Sequence, residues 1–147
     1  MTVIFAEHKG ADYVRPGYER FEDVLRHADV ITLHCPLTTS TRGLIGRDAL
    51  ALMKPAAFLI NTARGPLIDE SALAEALRHG IIAGASLDVL SQEPPGEDSI
   101  LMGIDHPNLI ITPHVAWASK SSVATLDSII RANVEGFYNG NPIDLIC

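Results

Sequence analysis

Ala57-Phe58-Leu59-Ile60-Asn61-Thr62-Ala63-Arg64-Gly65 opens as an unbroken apolar run and closes on polar residues and a turn glycine. A run this short, preceded by Pro55 and followed by Gly65, reads as a buried strand. Near-continuous hydrophobicity is expected of a strand whose sheet is covered by helices on both faces. Outward from it, the same reading extends to residues 3–6, 30–35, 82–89 and 109–112.

Helical patterns lie between these runs. Tyr18, Phe21, Val24, Leu25 and Ala28 share one face of a first helix. Residues 48–53 form a short second helix, stopped by Pro55. A third has clear ends: Asp69 as N-cap, Ile68 and Leu73 spaced as a hydrophobic staple, and Arg78, His79 and Gly80 at the close. A last helix covers residues 119–139, with Val123, Leu126, Ile130, Val134 and Phe137 as its apolar stripe. Residues 12–17 and 92–99 read as loops, and no internal repeat or low-complexity segment is present.

Strand–helix alternation of this kind predicts an α/β fold with a parallel sheet and right-handed crossovers. Ligands in such sheets sit beyond the carboxyl ends of the strands. Glu7, Cys35, Thr62 to Arg64, Asp88 and His114 all fall at those ends.

Bulk properties narrow the function classes. At 147 residues the chain is one domain's worth, and 47% hydrophobic content is enough for a sizeable core. The net charge of −7 argues against a nucleic-acid binder, which needs a basic surface to neutralise phosphates. Cys35 and Cys147 form no metal-type pair, no cluster with metal-ligand spacing is seen, and both read as free thiols in a reducing compartment. No apolar run reaches the roughly 18 residues that span a bilayer. Residues 1–6 lack a basic leader and a cleavage pattern, so the expectation is a cytoplasmic protein without membrane partners.

Three motifs carry the chemistry: Asn61-Thr-Ala-Arg64-Gly65, Asp88-Val-Leu-Ser-Gln-Glu93-Pro94-Pro95 and Thr112-Pro-His114-Val-Ala116-Trp117. They supply an arginine, a carboxylate and a histidine, each just after an apolar run. Hydride transfer to a 2-keto acid calls for such a set. A forked cation grips the substrate carboxylate, a proton donor meets the carbonyl oxygen, and a carboxylate orients that donor. Taken singly, Arg64 reads as a turn arginine, Glu93 as a loop carboxylate and Asp88 as a strand-end cap.

Together with His34-Cys-Pro-Leu-Thr, Met53-Lys-Pro, Asn61-Thr-Ala-Arg-Gly-Pro-Leu-Ile-Asp-Glu, Ala85-Ser-Leu-Asp-Val and Ile111-Thr-Pro-His, these motifs stand in one order and spacing. In that order the chain resembles the NAD-binding domain of the D-isomer-specific 2-hydroxyacid dehydrogenases, most of all the glycerate dehydrogenase (hydroxypyruvate reductase) group. The resemblance covers essentially the whole chain. It implies a Rossmann-like doubly wound sheet and a hydride-transferring oxidoreductase acting on a small 2-hydroxy or 2-keto acid such as glycerate or hydroxypyruvate.

The resemblance also implies roles. Arg64 would hold the substrate carboxylate. His114 would exchange the proton, with Glu93 stabilising its imidazolium. Asp88 would hold or orient the nicotinamide carboxamide. Cys35 and Pro36 match backbone lying along the cofactor, Thr62 and Ala63 match backbone beside its nicotinamide half, and Ala116 and Trp117 complete the cofactor and substrate end. Glu7 fits the acidic residue that binds the adenosine ribose of NAD, while neighbouring His8 and Lys9 leave NADP open. His34 reads as structural, and the other four histidines as surface or core residues.

One feature departs from the family. No Gly-x-Gly-x-x-Gly loop precedes Val3, and the substrate domain that comes before it in the family is missing. The chain therefore reads as a partial NAD-binding domain over residues 1–147, lacking the first, central strand, with 119–147 as the C-terminal helix and tail. A remnant that acts only as a weak nucleotide-binding or oligomerisation module is the alternative. In the order 3-2-1-4-5-6, residues 3–6 should pair with 30–35 on one side of the gap. Residues 57–61, 82–89 and 109–112 should form the other side. Closure by direct pairing of 3–6 with 57–61, a strand swapped into a homo-oligomer, or aggregation would relieve the open edges.

Overall fold

The computed structural model describes residues 1–144; Cys147 lies outside the described residues. The chain divides into two compact units, Met1–Pro113 and His114–Cys147.

In the first unit, four predicted runs form one parallel sheet. Its strands are β3 (Val30–Leu33), β4 (Phe58–Asn61), β5 (Gly84–Leu87) and β6 (Leu109–Ile111), in that spatial order. Register runs Val30 to Phe58, Phe58 to Gly84 and Ala85 to Leu109. Three helices pack on one face: α1 (Phe21–His27), α2 (Arg47–Leu52) and α3 (Glu70–Arg78). Ile31, Leu33, Leu59, Ala85 and Leu87 meet Leu25, Leu50, Leu73 and Leu77 there in one buried core. The α3 ends are as expected. Asp69 Oδ1 accepts from the Ser71 and Ala72 backbone N–H groups, Ile68 and Leu73 are both buried, and Gly80 adopts the left-handed conformation that ends the helix.

Three expectations are corrected. First, Tyr18 does not belong to α1. Arg20 is extended, the helix begins at Phe21, and Tyr18–Glu19 is a strand, β2, parallel to β1 (Phe5–Ala6). The spacing from Tyr18 to Phe21 mimics a helical turn, but strand pairing takes precedence. Second, residues 30–35 therefore do not pair with 3–6. They pair with β4, which is flanked on its other side by β5, so direct pairing of 3–6 with 57–61 is excluded. The β1–β2 pair and the β3–β6 sheet are separate sheets. Third, within the first unit the described residues cover only one face of the large sheet. Alternation along β3 and β4 sends Ile31, Leu33, Leu59 and Asn61 inward and leaves Val30, Phe58 and Ile60 toward an open hollow. Runs that look continuously apolar thus have one buried face and one solvent-facing apolar face.

The second unit is built on α4 (Lys120–Tyr138), capped by the Ser119 hydroxyl accepting from the Ser122 backbone N–H. Its predicted stripe of Val123, Leu126, Ile130, Val134 and Phe137 is exposed. Among the described residues, no helix is long and apolar enough to cross a membrane.

One-sided burial makes a direct prediction. Leu59→Ala, which empties a fully buried position in β4, should destabilise the first unit by about 2–5 kcal/mol. Val30→Thr, on the open face of the same sheet, should change stability by no more than about 0.5 kcal/mol. Urea titration of both variants checks the contrast.

Candidate active site

The carboxyl ends of β3, β4 and β5 share one rim, and the loops leaving them are fixed by local hydrogen bonds. Asn61, the last residue of β4, is fully buried. Its side-chain Oδ1 accepts from the Ala63 N–H at 3.0 Å, and its Nδ2 donates to the Arg64 carbonyl at 2.9 Å. Its own carbonyl accepts from the Asp88 N–H at 2.9 Å, tying the β4 rim to the β5 rim. Thr62 to Arg64 are thereby held in one turn. The Arg64 side chain is exposed, and its Nη1 donates to the Ala63 carbonyl at 2.7 Å.

The chain after Arg64 is equally constrained. Gly65–Leu67 forms a single 3-10 turn. The Gly43 and Ile45 N–H groups donate to the carbonyls of Pro66 and Leu67, and the Asp69 N–H donates back to Ile45. A Cβ added at Gly65 would lie 2.0 Å from the carbonyl carbon of Leu90, so only glycine lets this turn pass under the β5 loop.

Asp88 follows β5 and is buried; its carboxylate accepts from the Thr112 hydroxyl beyond β6 at 2.5 Å. The loop from 88 to 93 is held by two carboxylates. Glu93 Oε1 accepts from the Leu90 N–H at 2.8 Å, and Glu70 Oε1 from the Ser91 N–H at 2.6 Å. At the end of β3, Cys35 is half-buried beside exposed Pro36, and the His34 ring nitrogen Nε2 lies 2.9 Å from the Thr32 hydroxyl.

His114 begins the second unit. Its backbone is left-handed, with φ 53°, a conformation that costs a residue bearing a side chain about 1–2 kcal/mol. Its carbonyl accepts from the Trp117 indole N–H at 3.0 Å, so the His114-to-Trp117 segment, Ala116 included, closes on itself as a turn.

Glu7 directly follows β1 and is buried. Arg15 reaches back with Nε to Oε2 at 2.7 Å and Nη2 to Oε1 at 2.9 Å. The hydrogen bonds from Arg15 and from the His8 N–H hold its carboxyl well below the usual range, at about 2.

The structure thus gathers Thr62 to Arg64, Asp88 and Glu93 on the loops beyond β4 and β5, with Cys35 and Pro36 beyond β3. Glu7 stands at the separate β1–β2 pair. Sequence reading missed Asn61, Glu70, Thr112 and Arg15 as supports. Asn61 and Thr112 stand inside the quoted motifs, so a strand-end polar residue beside a functional one was the available signal. Glu70 also closes a quoted motif, but its partner lies 21 residues away; Arg15 stands in no quoted motif, 8 residues from its partner.

Comparison with known proteins bears on this arrangement. Residues 1–116 match the family described as D-isomer specific 2-hydroxyacid dehydrogenase, NAD binding domain. The chain belongs to that family. A Haemophilus influenzae protein provisionally assigned as a 2-hydroxyacid dehydrogenase is 55% identical over 139 residues, covering 93% of this chain and 44% of that one. The glycerate dehydrogenase of Methylorubrum extorquens is 49% identical over 134 residues, covering 91% and 43%. The crystal structure of D-lactate dehydrogenase with NAD+ from Lactobacillus jensenii superposes with a TM-score of 0.79 at 35% identity, over 93% of this chain and 46% of that one. The chain spans less than half the length of these relatives.

Two outcomes are expected. Gly65→Ala should destabilise the first unit by about 1–3 kcal/mol or more, because the added methyl meets backbone that has no room to retreat; urea unfolding measures it. The second concerns pH. The Glu7 carboxyl sits at about 2 in the folded chain and near 4.5 when unfolded. Between these values the unfolded state binds more protons, so stability is fully present above about 4.5 and falls as pH drops toward 2. Glu7→Gln should flatten that acid limb in thermal melts taken across the range.

Proposed function

We propose that this chain carries the nicotinamide-binding and proton-transfer half of an oxidoreductase that interconverts a small 2-hydroxy acid and its 2-keto acid, glycerate and hydroxypyruvate being the favoured pair. The observation that carries the reading is the shared rim, where Asn61 fixes the Arg64 turn and bonds directly to Asp88. Its polar groups fit a dinucleotide: a buried carboxylate at Asp88 to accept from a carboxamide, with exposed Thr62 and half-buried Ala63 on the neighbouring loop. When bound, NAD or NADP supplies the carrier of the hydride.

The chain's own residues do the rest. Arg64 presents a planar fork that matches a substrate carboxylate and draws charge from the adjacent carbonyl. His114 gives its proton to the carbonyl oxygen during reduction and takes it back from the hydroxyl during oxidation. Glu93 is the carboxylate assigned to orient the proton donor. Cys35 and Pro36 are assigned to the cofactor chiefly through backbone contact, and Ala116 and Trp117 are assigned to the cofactor and substrate end on the family resemblance.

A second reading, a non-catalytic binding or oligomerisation module, draws on the uncovered apolar sheet face and the separate β1–β2 pair. Steady-state kinetics with a panel of 2-keto acids separates the two. In the intact enzyme, His114→Ala should lower kcat by about 10²–10⁴-fold while cofactor affinity stays nearly constant. Arg64→Lys should raise KM for the keto acid as well as lower kcat, since a point charge replaces a fork. Turnover untouched by either substitution, or absent with every keto acid, favours the second reading.

A further inference from the structure

At the end of β1, where a dinucleotide fold reads the adenosine ribose, the acidic residue is already saturated. Glu7 Oε2 accepts from Arg15 Nε at 2.7 Å and from the Arg15 backbone N–H at 3.2 Å. Glu7 Oε1 accepts from Arg15 Nη2 at 2.9 Å and from the His8 backbone N–H at 2.9 Å. The Glu7 side chain is 3% exposed, whereas that of Arg15 is 48% exposed. The guanidinium stacks 4.0 Å over the Tyr18 ring, and its bonds to Glu7 use Nε and Nη2, so its five-donor fork has further N–H groups on a half-exposed side chain.

A bare carboxylate at this position selects NAD in two ways. It accepts hydrogen bonds from the ribose hydroxyls, and it repels the 2′-phosphate of NADP. Neither holds here. The acceptor sites of Glu7 are filled, its charge is neutralised by a forked partner, and solvent meets a cation instead. Lys9 adds a second cation on the same loop, its ammonium 6.0 Å from the Phe21 ring centroid. Asp12 is the acidic residue within residues 8–15, and Glu22 lines the small hollow beside Glu7.

We propose that Arg15 is a cofactor-selecting residue. It cancels the Glu7 carboxylate and offers a guanidinium to a 2′-phosphate, so the chain takes the adenosine end of NADP at least as well as that of NAD. This rests on reading the β1 end as the adenosine site. A guanidinium suits the task because its planar donors match phosphate oxygens pairwise.

The test uses two nucleotides that differ only in the 2′-phosphate, 5′-AMP and 2′,5′-ADP. Ligand-detected NMR titration reads millimolar affinities on the chain as it stands, with no turnover required. The unaltered chain should bind 2′,5′-ADP at least as tightly as 5′-AMP. Arg15→Ala should weaken 2′,5′-ADP by about tenfold or more without weakening 5′-AMP, since it frees the Glu7 carboxylate for the ribose hydroxyls. Because Arg15→Ala strands a buried carboxylate, the double variant Glu7→Gln with Arg15→Ala is measured beside it, and the same selective loss is expected. Glu7→Gln alone should keep 2′,5′-ADP binding. Exclusion of 2′,5′-ADP by an unaltered chain that binds 5′-AMP overturns the proposal and leaves the adenosine site standing. Equal loss of both nucleotides in the variants also overturns it. Binding of neither nucleotide overturns the adenosine-site reading, and the proposal with it.

Discussion

Asn61 is a polar side chain with no access to water, and the candidate site follows from how that constraint is met. A buried amide left without partners would cost about 1–3 kcal/mol. Here its oxygen takes the Ala63 N–H, its nitrogen gives to the Arg64 carbonyl, and its backbone carbonyl takes the Asp88 N–H. Satisfying one residue therefore shapes the turn that carries Arg64 and sets the start of the loop that carries Glu93. Gly65 then permits that turn to pass against Leu90 without a side chain intervening. The site's rigidity is a by-product of hydrogen-bond accounting at the end of a central strand.

The same logic operates at Glu7 with a different result. A buried carboxylate needs a charged partner or several donors, and Arg15 with two backbone N–H groups supplies both. Where Asn61 organises neighbours that remain open to a ligand, Glu7 is consumed by its own. Two strand-end polar residues at corresponding places in a parallel architecture thus have opposite availability. What separates them is whether a long cationic side chain falls within reach.

The sheet shows how far periodicity can be trusted. Runs such as Phe58–Asn61 look apolar throughout, yet Leu59 is fully buried while Phe58 is 40% exposed. The residues are suited to burial on both faces, and the described chain supplies helices for one. The exposed stripe of α4 is a second apolar surface of the same kind, in the other unit.

Much of this was legible in the residues alone. Strands at 30–35, 57–61, 82–89 and 109–112 follow from short apolar runs between breakers. The cap at Asp69 and the stop at Gly80 follow from local backbone chemistry, which a linear reading captures because partners lie two or three residues apart. The motif order around Arg64, Asp88 and His114 carries the family resemblance in the linear sequence. Tertiary structure decided what depended on distant partners. Strand pairing made Tyr18 part of β2 although its spacing fits a helix, and it set β3 beside β4 where 3–6 had been expected to pair with β3. Folding also brought Arg15 onto Glu7 and Glu70 onto Ser91. Side-chain pattern fixes which residues seek burial or hydrogen bonds; only the folded backbone selects the partner, because that choice turns on distances between segments far apart in sequence.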